Sequence, residues 1–356
     1  MLNKVFIDFE RMKYKHTGLY HFCLNLGQSL LKEVEAAKEQ LCFFVPPSVK
    51  GIFGDDAKYI KQHDFHKFFL PTPSKFQVWH ATHQGTDYYP YRSKVKKVLT
   101  IHDINFMHDR SKSAYKRNKY LNALQKKIKK ADHITTVSKF VLNDVLKYID
   151  FADKPTSIIY NGCNITEIKE LQKPNIVPNS SFLFTIGTIM AKKNFHVLPA
   201  LLINNDMQFI IAGIVHDDSY KQKIIAEANK YNVANRIIFT GPISENDKQW
   251  YFSNCTAFIF PSLTEGFGLP VIEAMYFGKP VILSEYTSLP EVGGDCAYYF
   301  NNFEPEHMQE VLLKSLHHYN TTQAADKIKH RVSLFTWSHA AKQYMDVYRG
   351  LYSKLA

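Results

Sequence analysis

Apolar residues fall into short, unbroken runs along the chain, and amphipathic stretches about one helix long separate many of these runs. In the first half the runs cover residues 5–9, 41–45, 98–101, 133–137 and 156–160. In the second half they cover residues 182–186, 208–213, 236–241, 256–260 and 280–284. Unbroken runs of β-branched and aromatic residues are typical of parallel strands that are covered on both faces. The pattern therefore predicts an α/β fold with two doubly wound domains.

The predicted join between the two domains is a polar stretch with two prolines, residues 169–181. We predict one Rossmann-like domain over residues 1–170, a second over residues 171–334, and a C-terminal helix over residues 335–356. The length of 356 residues agrees with two domains, each large enough to bury a core.

Composition excludes several classes of protein. Apolar residues make up 45% of the chain and charged residues 22%, which excludes a disordered tail, a coiled coil, a collagen and a bundle of membrane helices. The five cysteines are scattered without a CxxC pair, which predicts reduced thiols. The N-terminus lacks the apolar core of a signal peptide, and no run approaches the roughly 18 apolar residues of a spanning helix. We therefore expect a cytoplasmic protein.

The net charge of +11 is confined to one half of the chain. Residues 1–170 carry 28 Lys and Arg against 17 Asp and Glu, whereas residues 171–356 carry 16 of each. The densest stretch, residues 110–130, has nine basic residues and no acid, and its apolar residues recur at helical spacing: Tyr120, Leu121, Leu124 and Ile128. This basic stretch predicts an amphipathic helix. Its outer side is either a solvated lysine-rich face or a surface for an anionic partner, phospholipid head groups or nucleic acid.

The richest site pattern follows the fourth apolar run of the second half. Glu265 and Glu273 stand eight residues apart around the turn Gly266-Phe267-Gly268, and Pro270 opens a helix after it. The amides and positive dipole of a helix N-terminus suit a diphosphate, and the glycines let a ligand approach the backbone closely. In such a site Glu265 accepts hydrogen bonds from a sugar, and Glu273 accepts them from a ribose diol. The alternative is an ordinary turn with two exposed acids.

EGFGLPVIEA (265–274) resembles the E-x7-E signature of retaining GT-B glycosyltransferases, in particular glycosyltransferase family 4. GTIMAKKN (187–194) resembles the opening of the second domain in that family, and the resemblance runs nearly from end to end. It implies a GT-B fold, in which two Rossmann-like domains face each other across a cleft and the last helix crosses back to the first domain. The donor-binding residues that it implies are Gly18, Gly187, Thr188, Lys192, Lys193, Ile243, Glu265, Gly266, Phe267, Gly268, Leu269, Pro270 and Glu273.

The resemblance also implies the catalytic residues. Lys193 neutralises the donor diphosphate, Glu265 holds the sugar, and His102, directly after a strand, orients the sugar and stabilises charge at the reacting carbon. Asp103 is a candidate for fixing the imidazole or for meeting the acceptor. Ser138 is a candidate for the acceptor site or for a helix cap, and the cap is the simpler role.

The function implied is that of a retaining hexosyltransferase, which moves a mannose-like hexose from a nucleotide diphosphate sugar to a glycan or lipid-linked acceptor in cell-surface polysaccharide biosynthesis. No carboxylate is placed as a nucleophile, so front-face transfer is implied. No DxD pair or other metal site is found in the sequence, so no metal or other cofactor is expected. An anionic membrane surface is a further expected partner, bound through residues 110–130 at the inner face of the membrane.

Two alternatives remain open. One is a nucleotide-sugar epimerase of the GT-B type, which uses the same nucleotide site without an acceptor. The other is a basic nucleic-acid-binding protein. The chain lacks a recognised nucleic-acid-binding module and a stacked-aromatic motif, so we expect no nucleic acid among its partners.

Overall fold

The computed structural model describes residues 2–15, 17–109, 111–163 and 165–352. Arg110, the first residue of the predicted basic stretch, lies outside the described residues. The strands found in the described part are β1 (Asn3–Asp8), β2 (Glu39–Val45), β3 (Lys58–Lys61), β4 (Val78–Ala81), β5 (Lys96–Ile101), β6 (His133–Thr136), β7 (Thr156–Ile158), β8 (Phe182–Ile186), β9 (Gln208–Ala212), β10 (Ile237–Gly241), β11 (Ala257–Phe260), β12 (Val281–Ser284) and β13 (Tyr298–Phe300).

Helices connect most of these strands. The α-helices in the same part of the chain are α1 (Gly18–Glu33), α2 (Asn105–His108), α3 (Ala114–Lys130), α4 (Lys139–Leu146), α5 (Asp218–Lys230), α6 (Glu245–Asn254), α7 (Leu269–Tyr276), α8 (Leu289–Gly293), α9 (Pro305–Thr321), α10 (Ala324–Val332) and α11 (Trp337–Tyr352). None of the described helices combines the length and the apolar character needed to cross a bilayer.

The chain forms two compact units, Met1–Gly162 with Thr336–Ala356 and Cys163–Phe335. Among the described residues, the sheet of the first unit has the strand order β3-β2-β1-β4-β5-β6-β7 and that of the second has the order β10-β9-β8-β11-β12-β13. All pairings are parallel. The predicted pair of doubly wound α/β sheets is confirmed.

Each sheet has one position at which the direction of its strand order reverses. In the first unit this switch point lies between β1 and β4, and in the second it lies between β8 and β11. Open parallel sheets bind ligands at the carboxyl ends of the strands beside such a point. The topology therefore directs attention to the residues that end or follow these four strands.

Three strands were not predicted, and each has a physical reason. The strand β3 lies at the edge of its sheet and has an exposed lysine at each end, so its sequence lacks an apolar run. In β4 the buried His80 interrupts the apolar residues, so no unbroken run marks this strand. The strand β13 spans three residues at the edge of its sheet.

The basic helix α3 differs in part from its prediction. Leu124 and Ile128 are buried as expected, but Tyr120 is 40% exposed and so does not belong to the core face. Lys127 is buried, contrary to the expectation of a solvated lysine there, because its ammonium donates to the carbonyl oxygen of Gln84 at 2.8 Å. The buried side of α3 therefore combines two apolar residues with one paired cation.

The C-terminal helix α11 is fixed to the first unit by a bidentate ion pair. Arg349 donates from Nε and Nη2 to the two carboxylate oxygens of Glu39, at 2.8 and 2.9 Å. The hydroxyl of Tyr352 donates to the same carboxylate. Burial acts to raise the pKa of Glu39, but these donors outweigh it and lower the pKa to about 2.

We expect Arg349→Met to lower the free energy of unfolding by about 2 kcal/mol at pH 7, because it leaves the buried Glu39 carboxylate without its guanidinium. The lowered pKa means that the pair stabilises the fold above the ordinary carboxyl pKa and loses this effect as the pH falls toward about 2. Urea unfolding at neutral and at acidic pH measures the difference, which should shrink in acid. Lys38→Met is the control, since Lys38 pairs with Glu35 at the surface; an equal loss in both variants would contradict the assignment.

Candidate active site

Glycines occupy the carboxyl ends of three adjacent strands in the second sheet. Gly187 follows β8, Gly213 follows β9, and Gly241 ends β10. The amide of Gly213 donates to the carbonyl of Gly241 at 2.9 Å. A Cβ on Gly213 would lie 2.1 Å from the carbonyl oxygen of Gly187, and its φ of +132° also favours glycine. This edge of the sheet is therefore bare backbone, which a ligand can approach closely.

Lys193 and Glu265 form an ion pair across the switch point between β8 and β11. Lys193 ends a short 3-10 helix, Ala191–Lys193, that follows β8, and its Nζ lies 2.5 Å from Oε1 of Glu265. The same Nζ lies 4.8 Å from the ring centre of Phe260, the last residue of β11. Two of the predicted catalytic residues, far apart in the sequence, are thus in direct contact.

Burial and charge act on this pair in opposite ways. Burial lowers the pKa of Lys193, and the nearby Glu265 only partly opposes that effect. Burial also acts to raise the pKa of Glu265, but Lys193 and Lys192 outweigh it, so the pKa of this carboxyl is lowered. Glu265 is therefore firmly ionised, and Lys193 is a cation held largely out of water beside it.

Hydroxyl groups hold the loop that carries Glu265. Ser262 donates to Oε1 of Glu265 at 2.6 Å, and Thr287 accepts from the Glu265 amide at 3.0 Å. Ser288 donates to the carbonyl oxygens of Glu265 and Phe267, both at 3.1 Å. Sequence reasoning missed these three hydroxyl residues. The only signal was their position directly after β11 and β12.

The helix α7 starts where the predicted turn ends. Gly268 is its N-cap, with a φ of +102° that favours glycine, and Pro270 lies in its first turn as predicted. The side chain of Phe267 is buried, and its ring packs edge-on against Phe335 with centroids 5.6 Å apart. Because that ring belongs to the core, Phe267 can contribute only its backbone to a donor site.

Glu273 faces a lysine that the sequence did not identify. Its Oε1 lies 2.8 Å from Nζ of Lys248 on α6, and Lys248 also pairs with Glu245 at 3.0 Å. Burial acts to lower the pKa of Lys248, but the two carboxylates outweigh it and raise that pKa. Ile243 is half-buried just before α6, and Ser244 caps that helix by accepting from the Asp247 amide at 3.1 Å.

The remaining predicted donor residues lie beside these groups in the chain. The carbonyl of Lys192 accepts from the amide of Leu263 at 2.9 Å, which ties the segment after β8 to the segment after β11. Thr188 is half-buried next to Gly187, and Leu269 is half-buried as the first residue of α7. The second unit thus brings together the segments after β8 and β11 and the start of α7.

His102 lies after β5 in the first unit and is held by the end of β4. Its amide donates to Oε1 of Gln84 at 3.0 Å, and its Nε2 lies 2.8 Å from the carbonyl oxygen of Thr82. A carbonyl only accepts, so Nε2 carries the proton and Nδ1 is the acceptor nitrogen. Burial lowers the pKa of His102 to about 4, and the imidazole is therefore neutral.

Three other predicted residues of the first unit have local roles. Asp103 accepts from the Asn105 amide through Oδ1 at 3.1 Å. Ser138 accepts from the Val141 amide at 3.1 Å, so its predicted helix cap is confirmed. Gly18 is the first residue of α1, and no heavy atom lies within 4 Å of where its Cβ would stand. Packing does not require glycine at that position.

Sequence reasoning missed a buried charged cluster at the switch point of the first sheet. Asp8 ends β1, and it accepts from the Glu10 amide at 3.0 Å and from the hydroxyl of Thr86 at 2.5 Å. Burial and the neighbouring Glu10 raise the pKa of Asp8 to about 7. Glu10 pairs with Arg11 at 2.8 Å. Burial lowers the pKa of Lys127 to about 8. The cluster therefore contains two groups that titrate near neutral pH.

Among the residues that the structure describes, no three His, Cys, Asp or Glu side chains group in a way that could hold a metal ion.

We expect Asp8→Asn to flatten the pH dependence of stability between pH 5 and pH 8. A carboxyl whose pKa is raised in the folded state stabilises the fold at low pH, and that contribution is lost as the pH rises through about 7. Asparagine keeps the acceptor for the Glu10 amide and cannot ionise, so the variant should be more stable than the wild type at pH 8, by about 2 kcal/mol. Thermal unfolding across this range is the measurement. The exposed neighbour Asp87→Asn is the control, and an unchanged slope in Asp8→Asn would contradict the assignment.

Comparison with known proteins places these features in a family. The family model described as glycosyl transferases group 1 matches residues 166–331, and that of glycosyltransferase family 4 matches residues 44–167. The serotype-specific mannosyltransferase WbdA of Escherichia coli is 30% identical over 220 residues, which cover 56% of this chain and 26% of WbdA. The O-antigen chain mannosyltransferase B of Escherichia coli is 25% identical over 383 residues, covering 97% of this chain and 99% of that protein.

The structural comparison concerns the fold. The sucrose-phosphate synthase of Thermosynechococcus elongatus superposes with a TM-score of 0.77 at 17% identity, covering 99% of this chain and 100% of that chain. The chain spans about a quarter of the length of the WbdA relatives that it matches. Between them the two family models, glycosyl transferases group 1 and glycosyltransferase family 4, cover residues 44–331 of the chain, and the chain has the GT-B fold.

Proposed function

We propose that this protein is a retaining glycosyltransferase, which moves a hexose from a nucleotide diphosphate sugar to a glycan or lipid-linked acceptor in cell-surface polysaccharide biosynthesis. Mannose is the proposed sugar, because WbdA and the O-antigen chain mannosyltransferase B are both named as mannosyltransferases. The carrying observation is the largely buried Lys193–Glu265 pair at the switch point of the second sheet, beside the glycine-capped start of α7.

A diphosphate suits this position for electrostatic reasons. Lys193 is a cation with little water around it, and a polyanion compensates its desolvation better than the single charge of Glu265 does. The backbone amides at the start of α7 add donors and a positive dipole end. Both effects strengthen as the sugar leaves and negative charge builds on the diphosphate, which is how preorganised groups speed such a step.

The two glutamates take different parts of the donor in this proposal. Glu265 is held as a carboxylate by Ser262 and Lys193, and it accepts hydrogen bonds from sugar hydroxyls. Glu273 accepts from the ribose diol, with Lys248 fixing its carboxylate from the other side. His102, neutral and with Nδ1 as acceptor, contributes to orienting the sugar. The proposal is front-face transfer, with no covalent intermediate on a carboxylate.

An anionic membrane is proposed as a partner of the basic helix α3. Five of its lysines are exposed: Lys116, Lys119, Lys126, Lys129 and Lys130. Clustered lysines are attracted to anionic lipid at low ionic strength.

The donor site is tested by thermal shift against GDP-, UDP-, ADP-, CDP- and dTDP-sugars. We expect one nucleotide to raise the melting temperature of the wild type by about 5 °C at saturating concentration. Glu273→Ala and Lys193→Ala should abolish that shift. The matched control is Glu245→Ala, which removes the other carboxylate beside Lys248 and leaves Glu273 in place; it should keep the shift. Absence of a shift with every nucleotide, or equal loss in Glu245→Ala, would contradict the proposal.

We propose further that transfer needs no metal ion, because Lys193 and the start of α7 supply the positive charge at the diphosphate. The prediction is that transfer from the donor identified above proceeds at the same rate with EDTA as without it, within about twofold. Formation of the glycosylated acceptor is the measurement. If activity were lost in EDTA and restored by Mg²⁺ or Mn²⁺, a metal ion would be supplying the positive charge at the diphosphate. Donor converted without any acceptor would instead favour an epimerase.

A further inference from the structure

The loop between β3 and β4, residues 62–77, presents three phenylalanines to solvent. We call it the aromatic loop. The side chains of Phe65, Phe68 and Phe69 are 55%, 83% and 75% exposed. Single exposed apolar residues are ordinary, but three large rings within five residues form a patch that water disfavours. Such a patch indicates a surface that is covered when the protein works.

The aromatic loop is fixed to the first sheet. His66, between the exposed rings, is buried, and its ring lies 5.5 Å from that of Phe44 on β2. Leu70 and Phe76 pack against a core cluster made by Phe6, Phe44, Trp79, Tyr88 and Val95. The loop is thus anchored between and after the exposed rings, and the fold itself directs these three phenylalanines outward.

Exposed lysines precede and follow the phenylalanines in the sequence. Lys58 and Lys61 belong to the neighbouring strand β3, whereas Lys67 and Lys75 belong to the loop itself, and all four are exposed. Asp64 is the one acidic residue between positions 58 and 76. The lysines of β3 also protect a sheet edge from pairing with other strands, but that role does not explain Lys67, Lys75 or the exposed rings.

We propose that the aromatic loop inserts into the interface of an anionic lipid bilayer, with Phe65, Phe68 and Phe69 at the boundary of head groups and acyl chains and the lysines on lipid phosphates. Aromatic rings beside lysines are typical of membrane-surface segments, where the amine reaches the phosphate layer. Protein interfaces are enriched in aromatic residues but depleted of lysine. The composition therefore favours lipid over a protein partner. This contact adds apolar insertion to ion pairing and is separate from the electrostatic one proposed for α3. It does not depend on the proposed transfer reaction.

The direct test places a reporter in the loop. Phe68→Trp in the full chain should show blue-shifted emission with vesicles of phosphatidylglycerol and phosphatidylcholine, and brominated acyl chains should quench it. Leu313→Trp, at a 68% exposed position on α9, is the matched control and should be quenched much less. Unchanged emission of Phe68→Trp in vesicle-bound protein would overturn the proposal, as would quenching that is equal at both positions.

Vesicle sedimentation provides the second measurement. The double variant Phe68→Ser/Phe69→Ser should bind anionic vesicles at least about tenfold more weakly than the wild type, because two rings no longer leave water. Leu313→Ser, which removes an exposed apolar side chain from α9, should bind within about twofold of the wild type. Unchanged binding of the double variant would contradict the proposal. The proposal would also be contradicted if the wild type sedimented with no vesicle, or if the aromatic loop drove dimerisation instead. The donor-induced thermal shift of the double variant should persist, so failure here is distinguishable from failure of the donor site.

Discussion

The largely buried ion pair between Lys193 and Glu265 is the interaction on which the geometry of the candidate site depends. It joins the segment after β8 to the segment after β11, the two strands that flank the switch point. Burying two charges is costly, and a well-packed apolar pair is often at least as stabilising. Stability alone therefore does not account for this pair. A binding site for a charged ligand, which replaces part of the hydration that the two groups have lost, accounts for it better.

The two sheets have similar strand orders, but the side chains at the carboxyl ends of their strands differ in protonation and charge. In the second unit, Lys193 and Lys192 keep Glu265 ionised. In the first unit, burial keeps His102 neutral and favours a protonated Asp8 below pH 7. The difference follows from the neighbours, because Asp8 has Glu10 close to it, whereas Glu265 has two lysines. The edge of the second sheet thus presents an ionised carboxylate, whereas the edge of the first combines a neutral imidazole with groups that titrate near neutral pH.

The sequence predicted the features that depend on residues close together in the chain. The apolar runs located ten of the strands, and the spacing of Glu265 and Glu273 around a glycine turn located the start of α7. What it did not identify depends on contacts between distant segments. Lys248 is significant only because α6 packs beside Glu273, and Ser262 and Thr287 only because β11 and β12 are neighbours. Asp8 lay within a predicted strand, and its burial beside Glu10 was not visible in the pattern.

The charge asymmetry of the chain takes a different meaning once burial is known. Lys127 counted toward the basic stretch, yet its ammonium is inside the protein and bound to a backbone carbonyl. Conversely, Lys67 and Lys75 lie outside that stretch but flank the most exposed aromatic rings of the aromatic loop. Net charge alone decides only which partners are attracted from a distance. Holding a bilayer also requires apolar groups that leave water. The aromatic loop has three exposed phenylalanines beside its lysines, whereas the densest run of lysines has the two more polar tyrosines Tyr115 and Tyr120.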